Sequence, residues 1–319
     1  MDISIIICTY NRAQILEKTL ASYSSLKPSD IFQVELLIVD NNSNDNTAQI
    51  INTFIKQHPE TRYIFEPNPG LSHARNTGIK ESKGNIIAFI DDDVYLDPDW
   101  VTEVLHIFQD HPEASCMGGK SIPQFEIERP EWLTDQLLIP YGSTNSGDNI
   151  KTMLYPEHPF GLNMAFKREV FTQVGMFNPS LGRKKKNLLS NEESELFWRI
   201  NQAGLNVIYA PKALLYHRIP AERTCKEWVL SRYYWQGISS IVFEQLIAPR
   251  SRLALLHESF SEAWHLVLQF TGKQWLPRKV YWHYNDMSFD HKRAQAVKLG
   301  KIKQLFAEAL TYNKYHRNI

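Results

Sequence analysis

Asn85-Ile86-Ile87-Ala88-Phe89-Ile90-Asp91-Asp92-Asp93 decides the fold, because a short apolar run is followed at once by three carboxylates. The run is rich in β-branched residues, which predicts a buried strand of a parallel sheet. Three adjacent carboxylates repel one another, and without a counter-charge at least one would be driven toward its protonated form. Hard oxygen ligands suit Mg²⁺ or Mn²⁺, and ligands bind at strand ends in open α/β sheets. The segment therefore predicts a metal ion and an anionic ligand.

A helix cap is the simpler explanation for acidic residues here. Asp97 precedes Pro98, and an Asp at the N-cap with Pro at the first helical position is a frequent start of a helix. A cap needs one carboxylate, however, whereas three stand in a row before Asp97. We therefore favour the binding site.

Segments around this stretch alternate between two kinds of periodicity. Short apolar runs predict strands, and apolar residues three or four apart predict helices. Such alternation is typical of a doubly wound parallel sheet. The predicted strands are 3–8, 34–39, 62–66 and 85–90, and the predicted helices are 12–24, a segment capped by Ser43 or Asn44, and 71–82.

The pattern changes near residue 115, where prolines, Pro123 among them, interrupt the chain and the predicted strands become short. Beyond about 221 the chain is predicted to be mostly helical. Between these points we expect a helix at 167–174, a second helix that ends at Gly204, and short strands at 205–210 and 213–217 separated by Pro211.

Composition excludes several classes of protein. The 319 residues carry no formal net charge, so no overall basic field would attract nucleic acid. No secretory signal is visible, and no run of about 18 apolar residues predicts a membrane-spanning helix. Cys8, Cys116 and Cys225 are far apart and odd in number, which argues against a disulfide framework and a cysteine metal site. We expect a cytoplasmic protein.

Polar residues also follow the first two predicted strands. Thr9-Tyr10-Asn11-Arg12 contains no glycine, which argues against a nicotinamide cofactor. The segment from Asp40 resembles a calcium loop only superficially, because its sixth residue is Asp45 instead of Gly and its twelfth is Ile51 instead of Glu. A lone Asp at a strand end can also form an Asx turn. Asp40 and Asp91–Asp93 should nevertheless face one crevice, since they end strands of one parallel sheet.

Six motifs follow one another between about residues 3 and 217. They are Ile7–Arg12, Val39–Ser43, Gly70–Gly78, Phe89–Asp93, Phe160–Ala165 and Asn191–Leu196. Each alone is weak evidence, but all six in this order resemble the family-2 glycosyltransferases with a GT-A fold. The resemblance implies an α/β chain with a GT-A type doubly wound mixed sheet and a mostly helical C-terminal extension. It implies a catalytic domain at 1–220, with a nucleotide-binding half at 1–115 and an acceptor half at 116–220, followed by a helical region at 221–319.

The resemblance also implies which side chains hold the donor. A divalent cation, Mn²⁺ or Mg²⁺, would be held by Asp93, Asp91 and His217 and would stabilise the departing nucleotide diphosphate as a Lewis acid. Asp40 can accept a hydrogen bond from uracil or a similar base, and Asp92 would contact the ribose. Plainer interpretations make Arg75 a surface residue paired with an acid and His217 a structural histidine. The residues expected to bind the nucleotide are Thr9, Tyr10, Asn11, Arg12, Asp40, Asn42, Arg75, Asp91 and Asp92.

Glu192 and Glu193 match the acidic pair of the family. By the resemblance the second member, here Glu193, deprotonates the acceptor hydroxyl, although the family usually has Asp there and Gly in place of Asn191. The choice between the two glutamates as the base therefore stays open, and acidic residues also suit the start of a helix. A base on the face opposite the leaving group implies inversion of configuration. The preceding Lys184–Lys186 run is either a solvated loop or a clamp for acceptor or phosphate.

These expectations describe a non-processive, inverting glycosyltransferase of the hexosyltransferase type. It would move a single sugar from a nucleotide-diphosphate sugar, by preference UDP-linked, to a hydroxyl acceptor docked near 160–193, in glycan or polysaccharide biosynthesis. The acceptor would be a carbohydrate or a lipid-linked sugar. Single transfer is favoured because Arg232-Tyr233-Tyr234-Trp235 does not match the Gln-x-x-Arg-Trp motif of the processive synthases in this family.

The C-terminal region has an aromatic helical face between Trp228 and Ile238. We expect it to pack in a core, and the alternative is a peripheral contact with the cytoplasmic membrane near a lipid-linked acceptor.

Two other functions compete with this one. A haloacid-dehalogenase-like phosphotransferase also places two Asp residues after a strand, but it requires a Thr where Tyr95 stands. A non-catalytic nucleotide-binding scaffold would need no acidic pair, which Glu192 and Glu193 supply.

Overall fold

Two compact units make up this computed structural model, which describes residues 1–27, 32–144, 146–184, 187–271 and 288–315. The first unit comprises Met1–Asn187 and Glu192–Ala221, and the second comprises Leu188–Asn191 and Glu222–Ile319. The assignment of 1–115 to nucleotide and of 116–220 to acceptor stays a prediction.

Nine strands of the first unit form one mixed sheet. They are β1 (Ile3–Thr9), β2 (Val34–Asp40), β3 (Thr61–Phe65), β4 (Ile86–Asp91), β5 (Val94–Leu96), β6 (Ala114–Phe125), β7 (Lys151–Thr152), β8 (Asn163–Lys167) and β9 (Asn206–Ile219). Their order is β3-β2-β1-β4-β8-β6-β9-β5, and β7 pairs with β9. The first four in this order run parallel, whereas β8 is antiparallel to both of its neighbours.

Helices of the first unit cover both faces of the sheet. They are α1 (Ala13–Tyr23), α2 (Thr47–Ile55), α3 (Leu71–Glu81), α4 (Trp100–Asp110), α5 (Glu169–Val174) and α6 (Glu192–Gln202). Side chains alternate between faces along β1, so Ile5 and Ile7 pack in one core with Leu16 of α1. Ile6 packs in the other core with Ala74 of α3 and Leu196 of α6. The predicted doubly wound α/β architecture with a mixed sheet is confirmed.

Strand register brings the predicted site residues to one edge. Thr9 is paired with Asp40 across β1 and β2, and Cys8 is paired with Asp91 across β1 and β4. Because these strands are parallel, their carboxyl ends meet at the same edge of the sheet. The prediction that Asp40 and Asp91–Asp93 share this edge is confirmed.

The two short strands predicted around Pro211 are in fact one strand, β9, and β6 likewise continues through Pro123. The pairing of β6 with β9 jumps from Gly119↔Ala210 to Ser121↔Leu215, so Pro211 lies where the ladder is interrupted. A proline is tolerated at such an irregularity because no ladder hydrogen bond needs its missing N–H. Pro123 lies beyond the part of β6 that pairs with β8.

Two predicted helix caps were misplaced. The N-cap residue of α4 is Asp99 instead of Asp97, whose Oδ1 accepts a hydrogen bond from the Asp99 amide at 3.0 Å. Similarly, α2 begins at Thr47, and the Asp45 carboxylate accepts from the Thr47 amide at 3.0 Å. Both acids form a local turn just ahead of the helix, which side-chain preference alone does not distinguish from a cap.

The second unit contains three helices among its described residues, namely α7 (Lys226–Ile247), α8 (Arg252–Thr271) and α9 (Phe289–Tyr315). A Cβ at Gly237 would strike the Val297 carbonyl, so the backbones of α7 and α9 touch there. Val229 and Ile238 of the predicted aromatic face are buried. None of the described helices is both long enough and apolar enough to cross a bilayer.

Candidate active site

Side chains that follow β1 hold the carboxylates that follow β4. Thr9 Oγ1 donates to Asp92 Oδ2 at 2.7 Å, and Arg12 Nη1 pairs closely with Asp92 Oδ1. Arg12 Nη2 donates to Asp93 Oδ2 at 2.9 Å. Both oxygens of Asp92 thus have partners within the protein, and only 4% of its side chain is exposed. Asp92 faces Thr9 and Arg12 and has little surface left for a ligand.

Asp91 is the most open of the three carboxylates, with 39% of its side chain exposed, against 6% for Asp93. Partial burial and the negative charge of Asp93 raise the pKa of Asp91 above its ordinary value. Arg75 opposes this effect, but its Nη2 lies 3.9 Å from Asp91 Oδ1. The ionised form of Asp91 is therefore unfavourable in this environment, and a bound cation would stabilise it.

His217 approaches the same carboxylates from β9. Its Nδ1 donates to the Tyr141 carbonyl at 2.6 Å, which directs Nε2 toward Asp93 Oδ1 at 3.3 Å. Burial lowers the pKa of His217, but attraction to Asp93 outweighs it, so the net shift is upward. The structure brings Asp93 and His217 together, as the sequence predicted for two ligands of one ion.

These residues fit a divalent cation by their chemistry. Carboxylate oxygens and an imidazole nitrogen are ligands for Mn²⁺, and the carbonyl bond at Nδ1 fixes the ring so that Nε2 is the available nitrogen. In the part of the chain that the structure describes, no three His, Cys, Asp or Glu side chains are grouped as a ready metal site. The fit therefore rests on the donor types and on the raised pKa of Asp91, whose ionised form a cation would stabilise.

The end of β2 forms a closed turn. Asp40 Oδ1 accepts from the Ser43 amide at 2.9 Å, and Oδ2 accepts from the Tyr63 hydroxyl at 3.0 Å. Burial and Asp40 together raise the pKa of Tyr63 to about 12. Asp40 is itself buried, and its bond to the Ser43 amide agrees with the alternative interpretation of an Asx turn.

Residues of the neighbouring turns are more open. Asn11 and Asn42 have positive φ values of 52° and 64°, a conformation that Asn adopts more readily than most residues. The Asn11 amide donates to Ser43 Oγ at 2.9 Å, which ties the loop after β1 to the loop after β2. Tyr10 is partly buried, whereas Asn11 and Asn42 are exposed. Of the residues predicted to bind nucleotide, these lie on the surface of the edge.

Arg75 lies between Asp91 and the acidic pair Glu192 and Glu193. Its Nη1 lies 3.1 Å from Glu192 Oε1 and 3.2 Å from Glu193 Oε1, and its guanidinium carbon lies 5.2 Å from the centre of the Phe177 ring. Only 3% of the Arg75 side chain is exposed. The plainer interpretation of Arg75 as a surface residue paired with an acid is right about the ion pair and wrong about its location, because this ion pair is buried.

The two glutamates differ in environment. The Glu192 side chain is 4% exposed and Glu193 is 17% exposed. Burial and the charge of Glu193 raise the pKa of Glu192 to about 8, and its Oε2 has no hydrogen-bond partner among the described residues. Burial also acts on Glu193, but Arg75 and its own backbone amide outweigh it and lower the pKa of Glu193. Near neutral pH Glu193 is the ionised member of the pair.

Sequence reasoning missed His158, which lies beside the pair. In the neutral ring Nδ1 donates to the Pro159 carbonyl at 2.9 Å, so Nε2 accepts from Ser194 Oγ at 2.9 Å. The ring stacks on Phe197 with centroids 5.5 Å apart, and it is near enough to Glu193 that a positive charge on the ring would lower the pKa of that carboxylate. No local motif marks His158, because Ser194 and Phe197 are distant in sequence.

The segment Phe160–Ala165, expected near the acceptor, contains two residues with different structural roles, Gly161 and Asn163. Gly161 packs so closely against Arg75 and Glu193 that a Cβ would collide with both. Asn163 is structural, because its Oδ1 accepts from Trp100 Nε1 at 3.0 Å and its Nδ2 donates to the Ala213 carbonyl at 2.8 Å. Of the Lys184–Lys186 run ahead of the acidic pair, Lys185 and Lys186 lie outside the described residues.

Comparison with known proteins gives related sequences and folds. The chain is 27% identical over 254 residues to a glucosyl-dolichyl phosphate glucuronosyltransferase of Haloferax volcanii, which covers 79% of this chain and 80% of that protein. It is 23% identical to the succinoglycan biosynthesis protein ExoM of Rhizobium meliloti, over 74% of this chain and 73% of that protein.

Two solved structures share the fold at 18% sequence identity. The mannosyltransferase PcManGT from Pyrobaculum calidifontis, in complex with GDP-Man and Mn²⁺, matches with a TM-score of 0.59 over 97% of this chain and 86% of that one. GalNAc-T7 with UDP, GalNAc and Mn²⁺ matches with a TM-score of 0.54 over 76% of this chain and 50% of that one.

The family model described as glycosyl transferase family 2 matches residues 4–175. This range contains all of β1 but its first residue, the strands β2 to β4, the carboxylates Asp91–Asp93 and the helix α3 with Arg75. It is more than half of the 319 residues. The chain therefore belongs to glycosyl transferase family 2.

Proposed function

We propose that this glycosyltransferase moves one sugar from a nucleotide-diphosphate sugar to a hydroxyl group, with inversion of configuration, in glycan or polysaccharide biosynthesis. The observation that supports this most is the ionised carboxylate of Glu193, which Arg75 holds at the same sheet edge as the open carboxylate of Asp91. A base and an anionic donor site on one edge are what such a transfer needs.

Glu193 is the general base in this proposal. It is partly exposed and ionised, whereas Glu192 is buried and protonated near neutral pH. A Glu193 oxygen takes the proton of the acceptor hydroxyl, and the hydroxyl oxygen forms a bond to the anomeric carbon. The bond from that carbon to the diphosphate breaks, and the diphosphate leaves with the electron pair. Attack opposite the leaving group gives inversion.

A divalent cation, Mn²⁺ or Mg²⁺, belongs to the proposal. Asp93, Asp91 and His217 would hold it, because their donor atoms suit it and a cation would stabilise the ionised form of Asp91. When bound, the ion would supply Lewis-acid stabilisation of the departing diphosphate. The mannosyltransferase and GalNAc-T7 structures both contain Mn²⁺, which supports this choice.

Exposure and side-chain bonding together divide the predicted nucleotide-binding residues into two groups. Tyr10, Asn11, Asn42 and Asp91 lie at the surface and are proposed to face the donor. Thr9, Arg12, Asp40, Arg75 and Asp92 are bonded to other side chains or to the backbone and are proposed to position the first group. On this basis Asp91, instead of Asp92, faces the donor.

The acceptor is proposed to be a carbohydrate or a lipid-linked sugar. The glucosyl-dolichyl phosphate glucuronosyltransferase supports the lipid-linked form, and the succinoglycan biosynthesis protein supports a polysaccharide. UDP-linked donors come first, and GDP-Man is the second candidate because PcManGT was solved with it. A cytoplasmic location and a peripheral membrane contact stay predictions. The haloacid-dehalogenase-like alternative has no support, since the chain belongs to another family.

The proposal is tested by donor hydrolysis in the purified chain. UDP-glucose, UDP-glucuronic acid, UDP-N-acetylglucosamine and GDP-mannose are each incubated with Mn²⁺ or with EDTA, and released nucleotide diphosphate is measured. We expect Mn²⁺-dependent release from one donor and a much smaller release in Glu193→Gln, because the water that replaces the acceptor hydroxyl must also lose a proton. Nucleotide binding without release from any donor would favour the scaffold instead.

A further inference from the structure

His158 lies where the segment 158–161, which precedes β8, contacts the helix α6. In the neutral ring its Nδ1 donates to the Pro159 carbonyl at 2.9 Å, and its Nε2 accepts from Ser194 Oγ at 2.9 Å. Ser194 follows Glu193 in the first turn of α6. The imidazole is therefore bonded to the turn of the helix that carries the proposed base.

The His158 ring also contacts two phenylalanine rings. It stacks on Phe197 of α6 with centroids 5.5 Å apart and an interplanar angle of 7°. It meets Phe160 edge-on, with centroids 6.2 Å apart. Stacked and edge-on pairs are favourable aromatic geometries, so both contacts help to fix the plane of the imidazole. His158 thus holds the segment 158–161 against α6 by packing as well as by a hydrogen bond.

The other end of this segment contacts Glu193 itself. A Cβ at Gly161 would collide with Glu193 Oε1 and Arg75 Nη2, so the Gly161 backbone borders the carboxylate and its cation. Any movement of the segment relative to α6 would change the space open to the Glu193 side chain. Because His158 is close to Gly161 in sequence and Ser194 is adjacent to Glu193, the imidazole joins the two backbones on either side of the carboxylate.

A different set of contacts attaches the segment to the sheet. Gly118 of β6 leaves room for Pro159, since a Cβ there would collide with the proline ring. The Asn163 amide donates to the Phe160 carbonyl at 3.0 Å, and the Asn163 side chain bonds to Trp100. These contacts fix the segment on β6 and β8, whereas His158 fixes it to α6.

A ring that only fills space is the simpler interpretation of His158. Packing on Phe197 needs no ring nitrogen, however, and Nε2 accepts a hydrogen bond from the residue next to the proposed base. We propose that His158 is a positioning residue, which holds Glu193 in place for proton abstraction through Ser194 and the segment 158–161. This inference rests on the proposed function, in which Glu193 is the base.

His158→Phe tests the hydrogen bond, because phenylalanine keeps an aromatic ring but offers no acceptor to Ser194. Hydrolysis of the preferred donor is measured with Mn²⁺, and kcat should fall about five- to tenfold. The donor KM, and UDP affinity by calorimetry, should change less than about twofold, since the loss concerns the reaction step. Glutamine can place a side-chain oxygen near the position of Nε2, so His158→Gln should keep kcat within about threefold of the wild type.

A double variant distinguishes positioning of Glu193 from a general effect on the fold. Adding His158→Phe to Glu193→Gln should lower kcat further by less than about twofold, because residues that act as a unit are not additive. Ser194→Ala removes the other partner of the bond and should lower kcat about as much as His158→Phe. If His158→Phe does not fold, Ser194→Ala is combined with Glu193→Gln instead.

His58→Phe is the matched control. His58 stacks on Phe54 with centroids 4.1 Å apart, and its Nε2 lies 2.8 Å from Ser24 Oγ. It precedes β3 and lies at the opposite edge of the sheet, so its replacement should leave kcat unchanged.

The outcomes separate this inference from the proposed function. Wild-type kcat in His158→Phe overturns the inference alone, and so does an equal loss of kcat with and without Glu193→Gln. Wild-type donor hydrolysis in Glu193→Gln overturns the proposed base, and the positioning role of His158 falls with it.

Discussion

Nη1 of Arg75 lies 3.2 Å from Oε1 of Glu193 inside the protein. The same nitrogen contacts Glu192, and the other arm of the guanidinium points toward Asp91. One buried cation therefore joins the proposed base to the carboxylate proposed to face the donor. In the proposed function this placement gives Arg75 a positioning role, whereas the nucleotide contact that the sequence predicts for it stays a prediction.

Replacing Arg75 should impair the reaction more than nucleotide binding. In Arg75→Met, Glu193 loses the charge that lowers its pKa, so kcat should fall about 100-fold at neutral pH. The acidic limb of the pH–rate profile should move to higher pH, because Glu193 must be ionised to act. UDP affinity, measured by calorimetry with Mn²⁺, should change less than about threefold.

Arg75→Lys is the matched control for the charge. Lysine keeps the cation but cannot present one planar fork to several carboxylates, so its kcat should fall between those of the wild type and Arg75→Met. A UDP affinity at least about 30-fold weaker in Arg75→Met, with kcat preserved, would restore Arg75 as a nucleotide ligand.

The two members of the acidic pair should respond differently to the same substitution. Glu193→Gln removes the base, and kcat should fall by about 10² to 10⁴. Glu192→Gln replaces a carboxyl that is already protonated near neutral pH, so kcat should fall less than about tenfold. Transfer rates at pH 7 with the preferred donor decide this, and Glu169→Gln in α5 serves as a control for an exposed glutamate. The reverse ranking would assign the base to Glu192.

Glu192 should also make stability depend on pH. Its pKa is about 8 in the folded chain and near the ordinary 4.5 in the unfolded chain. Between these values the unfolded state has released the proton that the folded state keeps, so the free energy of unfolding falls as pH rises from 4.5 to 8. Glu192→Gln should lose this part of the slope and gain stability relative to the wild type as pH rises. Urea unfolding at pH 5, 6, 7 and 8 measures it, and parallel curves for both proteins would contradict the shift.

Asp91 and Asp92 should be separable by stability and by binding. Asp92→Asn breaks a buried pair with Arg12 and should cost about 1–3 kcal/mol, because Arg12 is partly exposed. Asp91→Asn changes a carboxylate that is 39% exposed and should cost about 0.5 kcal/mol or less, yet weaken Mn²⁺-dependent UDP binding. Chemical unfolding and calorimetry are run on both variants. Loss of UDP binding only in a stably folded Asp92→Asn would return the donor contact to Asp92.

Local sequence could predict the strands and their common edge. The apolar runs of β1, β2 and β4 are buried on both faces, so their composition alone marks them. Asp40 and Asp91–Asp93 directly follow these runs, so the sequence also predicts that they share an edge of the sheet. By contrast, β9 was divided at Pro211, because the tolerance of that proline depends on the irregular pairing with β6, which no local pattern contains.

Roles within the candidate site could not be read from sequence alone. Asp91, Asp92 and Asp93 are identical residues, and contacts with distant parts of the chain distinguish them, because Thr9 and Arg12 bond both oxygens of Asp92 and His217 approaches Asp93. The pairing of Arg75 with Glu193 joins residues 118 positions apart. Such contacts depend on how distant segments meet. Residue type therefore predicts the chemistry of a site, but it does not predict which side chains contact one another there.

Gly161 should prove as sensitive as the ion pair it packs against. A Cβ at this position would collide with Arg75 Nη2 and Glu193 Oε1, and the Arg75 side chain, which is 3% exposed, has little room to move away. Gly161→Ala should therefore displace the pair, lower kcat about as much as Arg75→Met, and cost about 1–3 kcal/mol of stability through overpacking. Gly147→Ala is the matched control, because a Cβ there meets nothing within 4 Å and only its φ of 99° is unfavourable. It should cost about 1 kcal/mol and leave kcat unchanged. If Gly161→Ala retains wild-type kcat and pH profile, the position of Glu193 does not depend on the close packing at Gly161.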